Sequence, residues 1–135
     1  MQHYTRDVGE HSSITISADG LPVISYYDAT TFDLKVVKCG NAACTAGNTV
    51  TAVDTVGNVG QYTSIAIGAD GLPVIAYSGV TSGDLKVAKC GNVSCSAGNT
   101  LNAVDTSLDA VSTSIAVGLD GLPVISYTTT RETLN

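Results

Sequence analysis

Tryptophan is missing from this 135-residue chain, and phenylalanine and methionine occur once each. The apolar mass is therefore Val, Ile, Leu and Ala, interleaved with many Thr and Ser, a mixture that favours strands over helices. Basic residues are also scarce: six Lys and Arg stand against twelve Asp and Glu, for a net charge of −6. No basic patch is available for a nucleic-acid backbone or an anionic membrane surface, so neither partner is expected. No apolar run reaches membrane-spanning length, and the first residues hold no signal-peptide core.

The usual signatures of catalysis are thin as well. Only His3 and His11 are present, both near the start, and they read as plain surface residues. There is no Gly-x-Ser-x-Gly elbow, no phosphate loop and no dinucleotide fingerprint. Calcium loops need several oxygen ligands close together, and no such run of acids occurs. A carboxylate pair set across two repeats would leave no mark in the sequence. No cofactor, no metal and no enzymatic activity are expected.

What is present is a repeat. Ile14-Thr-Ile-Ser-Ala-Asp-Gly-Leu-Pro-Val-Ile-Ser-Tyr26 returns as Ile65-Ala-Ile-Gly-Ala-Asp-Gly-Leu-Pro-Val-Ile-Ala-Tyr77. It returns again as Ile115-Ala-Val-Gly-Leu-Asp-Gly-Leu-Pro-Val-Ile-Ser-Tyr127. The period of roughly fifty residues is the length of a propeller blade. Each unit reads as four strands: a, b, c and d at 13–17, 22–27, 34–39 and 49–54, then at 64–68, 73–77, 85–90 and 100–105. Asp19-Gly20, Asp70-Gly71 and Asp120-Gly121 supply tight turns between a and b. Strand a alternates, with Ile14 and Ile16 on one side. Strand b is apolar on both faces, at Val23-Ile24, Val74-Ile75 and Val124-Ile125, so it must lie between stacked sheets. A solenoid coil would need a shorter repeat, a sandwich would not need equal units, and helices conflict with the Asp-Gly turns.

The expected fold is all-β, made of propeller blades of four antiparallel strands, with about 2.5 blades in the chain. Its parts are a remnant of a preceding blade (1–12), blade one (13–63), blade two (64–113) and a partial third (114–135). Known rings need about four or more blades, so exposed blade faces invite self-association. A homodimer closing a five- or six-bladed ring is one expectation, and an excerpt of a longer propeller is the other.

The segment running Asp19-Gly-Leu-Pro-Val-Ile-Ser-Tyr-Tyr-Asp28 to Asp33-Leu-Lys-Val36 resembles a class of highly repetitive bacterial β-propellers. Val53-Asp-Thr55 and Val59-Gly-Gln-Tyr-Thr-Ser-Ile65 are similar to the junction of that class. The resemblance implies a secreted or surface protein and assigns no reaction. A weaker likeness to the Asp-box blades of sialidases runs through Ser17-Ala-Asp19-Gly20. Here Gly is adjacent to Asp and no Trp follows, so sialidase catalysis is not carried over.

Cys39-Gly-Asn-Ala-Ala-Cys44 recurs as Cys90-Gly-Asn-Val-Ser-Cys95. Two local disulfides are the favoured reading, implying an oxidising, extracellular or cell-surface location. One zinc shared by all four, or buried free thiols, are the alternatives. Asp19, Asp70 and Asp120 are read as turn residues, and Asp33 and Asp84 as turn caps before strand c. Lys35, Lys38, Lys86 and Lys89 are read as snorkelling, edge-protecting side chains.

Chain geometry puts the d–a and b–c connections on one side, where the units differ most, so that side is the expected binding face. Tyr62 with Asn58 and Gln61 offers a ring beside amides, suited to a sugar. His11, Asp28, Asp33 and Asp84 border the same face. The function expected is a non-catalytic, secreted or surface binding module, lectin-like in character. The alternative is a structural, self-assembling propeller fragment with no small ligand.

Overall fold

The structure, a computed structural model, describes residues 8–106 and 109–129. These residues form ten strands and no helix. Strands β1 (Val8–Ile16), β2 (Pro22–Asp28), β3 (Asp33–Lys38) and β4 (Thr49–Asp54) make one antiparallel sheet in chain order. Strands β5 (Val59–Ile67), β6 (Pro73–Gly79), β7 (Asp84–Lys89) and β8 (Thr100–Asp105) repeat it. Strands β9 (Ala110–Val117) and β10 (Pro123–Thr129) form a third, two-stranded sheet. Residues 1–7 of the expected blade remnant and 130–135 of the expected partial blade lie outside the described residues.

The turn chemistry is as the sequence indicates. Asp19, Asp70 and Asp120 each accept the N–H two residues on, from Leu21, Leu72 and Leu122, at 3.0 Å. The following Gly20, Gly71 and Gly121 are left-handed, with φ of 84°, 82° and 82°. The same aspartates also hold lysines: Asp19 pairs with Lys38 at 2.8 Å and Asp70 with Lys89 at 2.9 Å. Lys38 and Lys89 therefore tie strand c to the a–b turn, and strand c lies inside its sheet in both units, which corrects the reading of these lysines as edge-protecting side chains.

β1 and β5 begin at Val8 and Val59, well before the Ser13 and Ser64 expected from the pattern. Both strands continue through a bulge, where register with β2 and β6 shifts between Glu10 and Ser13 and between Gln61 and Ser64. An extra residue left out of the ladder lets the strand bend without ending. Gly60 lies in β5, close against the first sheet. A Cβ there would come 2.7 Å from Leu34 Cα.

The sheets pack face to face, β5 against β1 and β2, and β9 against β5 and β6, without closing on themselves among the described residues. Val23, Leu34 and Val36 of the first sheet meet Ile65, Ile75 and Tyr77 of the second in a continuous core. Burying each aliphatic side chain is worth about 1.5–3 kcal/mol. β6, between two neighbours, is buried along its whole length, as an apolar-on-both-faces strand must be.

Hydrogen bonds across the boundaries repeat from sheet to sheet. Ser13 Oγ accepts the Ile65 N–H at 3.2 Å, and Ser64 Oγ accepts that of Ile115 at 3.1 Å. Thr63 Oγ1 donates to the His11 carbonyl at 2.7 Å, and Thr113 Oγ1 donates to that of Tyr62.

The four cysteines form two disulfides, Cys39–Cys44 and Cys90–Cys95, with Cα atoms 4.8 Å apart in each. Each closes the c–d loop on the side opposite the d–a connections. Asn48 Oδ1 accepts from Gly40 N–H, and Asn99 Oδ1 from Gly91 N–H, completing the same loop twice. Such bonds fit an oxidising compartment. Among the described residues no helix is long and apolar enough to cross a membrane.

Candidate binding face

Among the described residues, six non-glycine residues have a left-handed backbone: His11, Phe32, Cys44, Tyr62, Cys95 and Ser112. Two belong to the disulfide loops. The other four lie on the side of the d–a and b–c connections. His11, Tyr62 and Ser112 occupy one repeated position, the bulge near the start of β1, β5 and β9, with φ of 51°, 54° and 52°. The backbone geometry has a structural cause, because it turns the His11 and Tyr62 carbonyls toward the threonine of the next sheet. That cause does not extend to the side chain. Glycine would take the same conformation without the roughly 1–2 kcal/mol that a Cβ adds there.

Two of the side chains held at these positions meet. The His11 ring lies 4.4 Å from the Tyr62 ring, centroid to centroid, tilted by 54°. His11 also stands edge-on to Tyr27 at 6.2 Å. Tyr27 reaches across the sheet boundary to donate to Asn58 Oδ1 at 2.7 Å.

Phe32 is the fourth left-handed residue, with φ of 64°, in the turn between β2 and β3. Gly83 holds the equivalent turn in the second sheet, also left-handed. The single phenylalanine of the chain is thus placed where the neighbouring unit uses glycine, and it is 49% exposed. Its carbonyl accepts the Val59 N–H at 3.1 Å, so the turn abuts the junction that leads to Tyr62. Reading the sequence did not single out Phe32. The signal was there, as an aromatic aligned with a turn glycine.

The remaining expected site residues divide. Gln61 and Tyr62 line an open cleft of about 230 Å³ between the second and third sheets, with Ser78, Asp109 and Val111. Asn58 is committed to the scaffold: its side chain takes the Tyr27 hydroxyl, and its N–H donates to Thr81 Oγ1 at 2.9 Å. Asp28 is buried and pairs with Lys35 at 2.6 Å while accepting the Thr30 N–H at 2.9 Å. Burial pushes its carboxyl up, but Lys35 and the turn N–H groups outweigh that and hold it below its ordinary range. Asp33 and Asp84 open β3 and β7, opposite Asp28 and Gly79 in register, in separate sheets.

Asp54, which drew no role from the sequence beyond ending a strand, is buried and multiply bonded. It accepts from the Tyr77 hydroxyl at 2.8 Å, from Lys86 at 2.9 Å and from the Val56 N–H at 3.1 Å. Burial again pushes the carboxyl up, and these three donors together hold it below its ordinary value of 3.8. The Tyr77 hydroxyl is driven far upward, by burial first and by Asp54 second.

Comparison with protein-family models, curated proteins and solved structures gives no match.

Proposed function

We propose that the chain is a non-catalytic binding module of β-propeller blades, acting outside the cell, whose d–a and b–c face takes a neutral carbohydrate. One observation carries this reading. Side chains are kept at four left-handed positions on one face where glycine would be less strained. Backbone strain retained in this way points to a site. The residue differs at each position, while the Asp-Gly turns on the opposite side stay constant. Variable side chains on a fixed scaffold are how binding loops are built. Aromatic faces at His11, Tyr62 and Phe32 suit the C–H faces of a sugar ring, and Gln61 supplies an amide for its hydroxyls. The net charge of −6 disfavours anionic ligands. The two disulfides support the extracellular assignment.

A glycan array probed with the whole chain tests this, followed by Phe32→Gly and Tyr62→Gly. Each substitution keeps the left-handed backbone. Binding to a defined glycan class should fall at least about tenfold, the equivalent of 1.4 kcal/mol, while thermal stability holds or rises. Silence across the array, or binding that neither substitution changes, would overturn the reading.

A further inference from the structure

The two outward faces of the sheet stack are repeat copies of faces buried inside it. Ile14 is 61% exposed, whereas Ile65, its equivalent, is 5% exposed because it packs on the first sheet. At the other end Val124 is 65% exposed, whereas its equivalents Val23 and Val74 are 0% and 3% exposed beneath the sheet that follows each.

The polar groups repeat in the same way. Ser13 and Ser64 each accept the N–H of the isoleucine in the following sheet. Ser114, exposed and opposite Ser126 in register, sets the same hydroxyl on the Val124 face, and Ile14 has the corresponding N–H. One end of the stack therefore carries the groups of a following sheet, and the other end carries the groups of a preceding one.

We propose that the Ile14 face of one copy docks on the Val124 face of a second copy, head to tail. The contact would repeat the first-strand packing that the chain makes twice within itself, β1 against β5 and β5 against β9, with Ser114 receiving the Ile14 N–H. Continuity with that internal contact is what selects a second copy as the occupant. The faces are of different kinds, so the contact is heterologous, and it closes into a ring or extends depending on the rotation per sheet. The inference rests on sheet packing and is independent of the carbohydrate reading.

The test is solution mass by light scattering for the wild-type chain and for Ile14→Lys and Val124→Lys. Both side chains are exposed, so both variants should keep the wild-type circular dichroism. The wild type should have the mass of two or more chains, and each variant alone the mass of one. Immobilised Ile14→Lys, whose Val124 face is intact, should capture Val124→Lys but no further Ile14→Lys. A monomeric wild type, a variant that retains the wild-type mass, or failure of the two variants to join would each overturn the proposal. A face-to-face dimer would betray itself by responding to only one of the substitutions.

Discussion

The Tyr77 hydroxyl donates to Asp54 Oδ2 at 2.8 Å across the boundary between the first and second sheets. Asp54 ends β4, and Tyr77 lies in the middle of β6, so the bond fastens the outgoing strand of one sheet to the centre of the next. The third sheet repeats it, with Tyr127 donating to Asp105. Both Asp54 and Tyr77 are almost wholly buried. Replacing Asp54 by Asn keeps an acceptor for Tyr77 but leaves Lys86 without its charge partner. Asp54→Asn should cost about 1–3 kcal/mol in urea unfolding, and Tyr77→Phe about 1 kcal/mol.

Acid should expose the same pair. Because the Asp54 carboxyl is held below its ordinary 3.8, its contribution is complete above that pH and is lost as pH falls through the lowered folded value. Asp28, also held low, adds to the same limb. Stability followed by thermal melts should therefore decline below about pH 4, and Asp54→Asn should make that decline shallower. An unchanged acid limb in the variant would contradict the assignment.

Lys35 and Lys86 occupy equivalent positions and have different partners. Lys35 pairs with Asp28, whereas Lys86 pairs with Asp54. The second sheet has Gly79 where the first has Asp28, so an aspartate there is the missing alternative partner. A Cβ on Gly79 would come 2.9 Å from Ser82 Oγ and 3.1 Å from Lys86 Cδ, so both side chains must shift to admit it. Gly79→Asp should therefore restore part of the stability lost in Asp54→Asn, and a double-mutant cycle should show coupling of about 0.5 kcal/mol or more.

The disulfides should differ in their resistance to reduction. Cys90 and Cys95 are both buried in the core cluster, whereas Cys44 is only half-buried. Thiolate attack needs access to a sulfur. Mild reductant on the native protein should open Cys39–Cys44 first, as read by alkylation and peptide mass. Release of Cys90 and Cys95 should await unfolding.

Much of the fold was legible because local chemistry repeats. Asp-Gly turns, the two-sided apolar strand b and the equal spacing give the strand order, and burial of β6 follows from Val74-Ile75 alone. The bulges were not legible. Nothing in Gln61-Tyr62-Thr63 announces that the strand continues past an extra residue, since the cause is a threonine in the following sheet that draws the carbonyl. The site was legible in part for the same reason. Tyr62 and His11 align with each other and prove to be in ring contact, but Asn58 and Asp28 are taken up by bonds to residues distant in sequence. The lysine pairs were missed because alternation on a strand states a face and not a partner.

The most direct measurement is an ¹⁵N-resolved NMR titration of the chain with the neutral oligosaccharide that the array selects. Shift changes should concentrate on His11, Phe32, Gln61 and Tyr62. The two disulfide loops, on the opposite side, should stay still. Changes centred on those loops or on the Asp-Gly turns, or none at all at millimolar sugar, would contradict a binding face built on the strained residues.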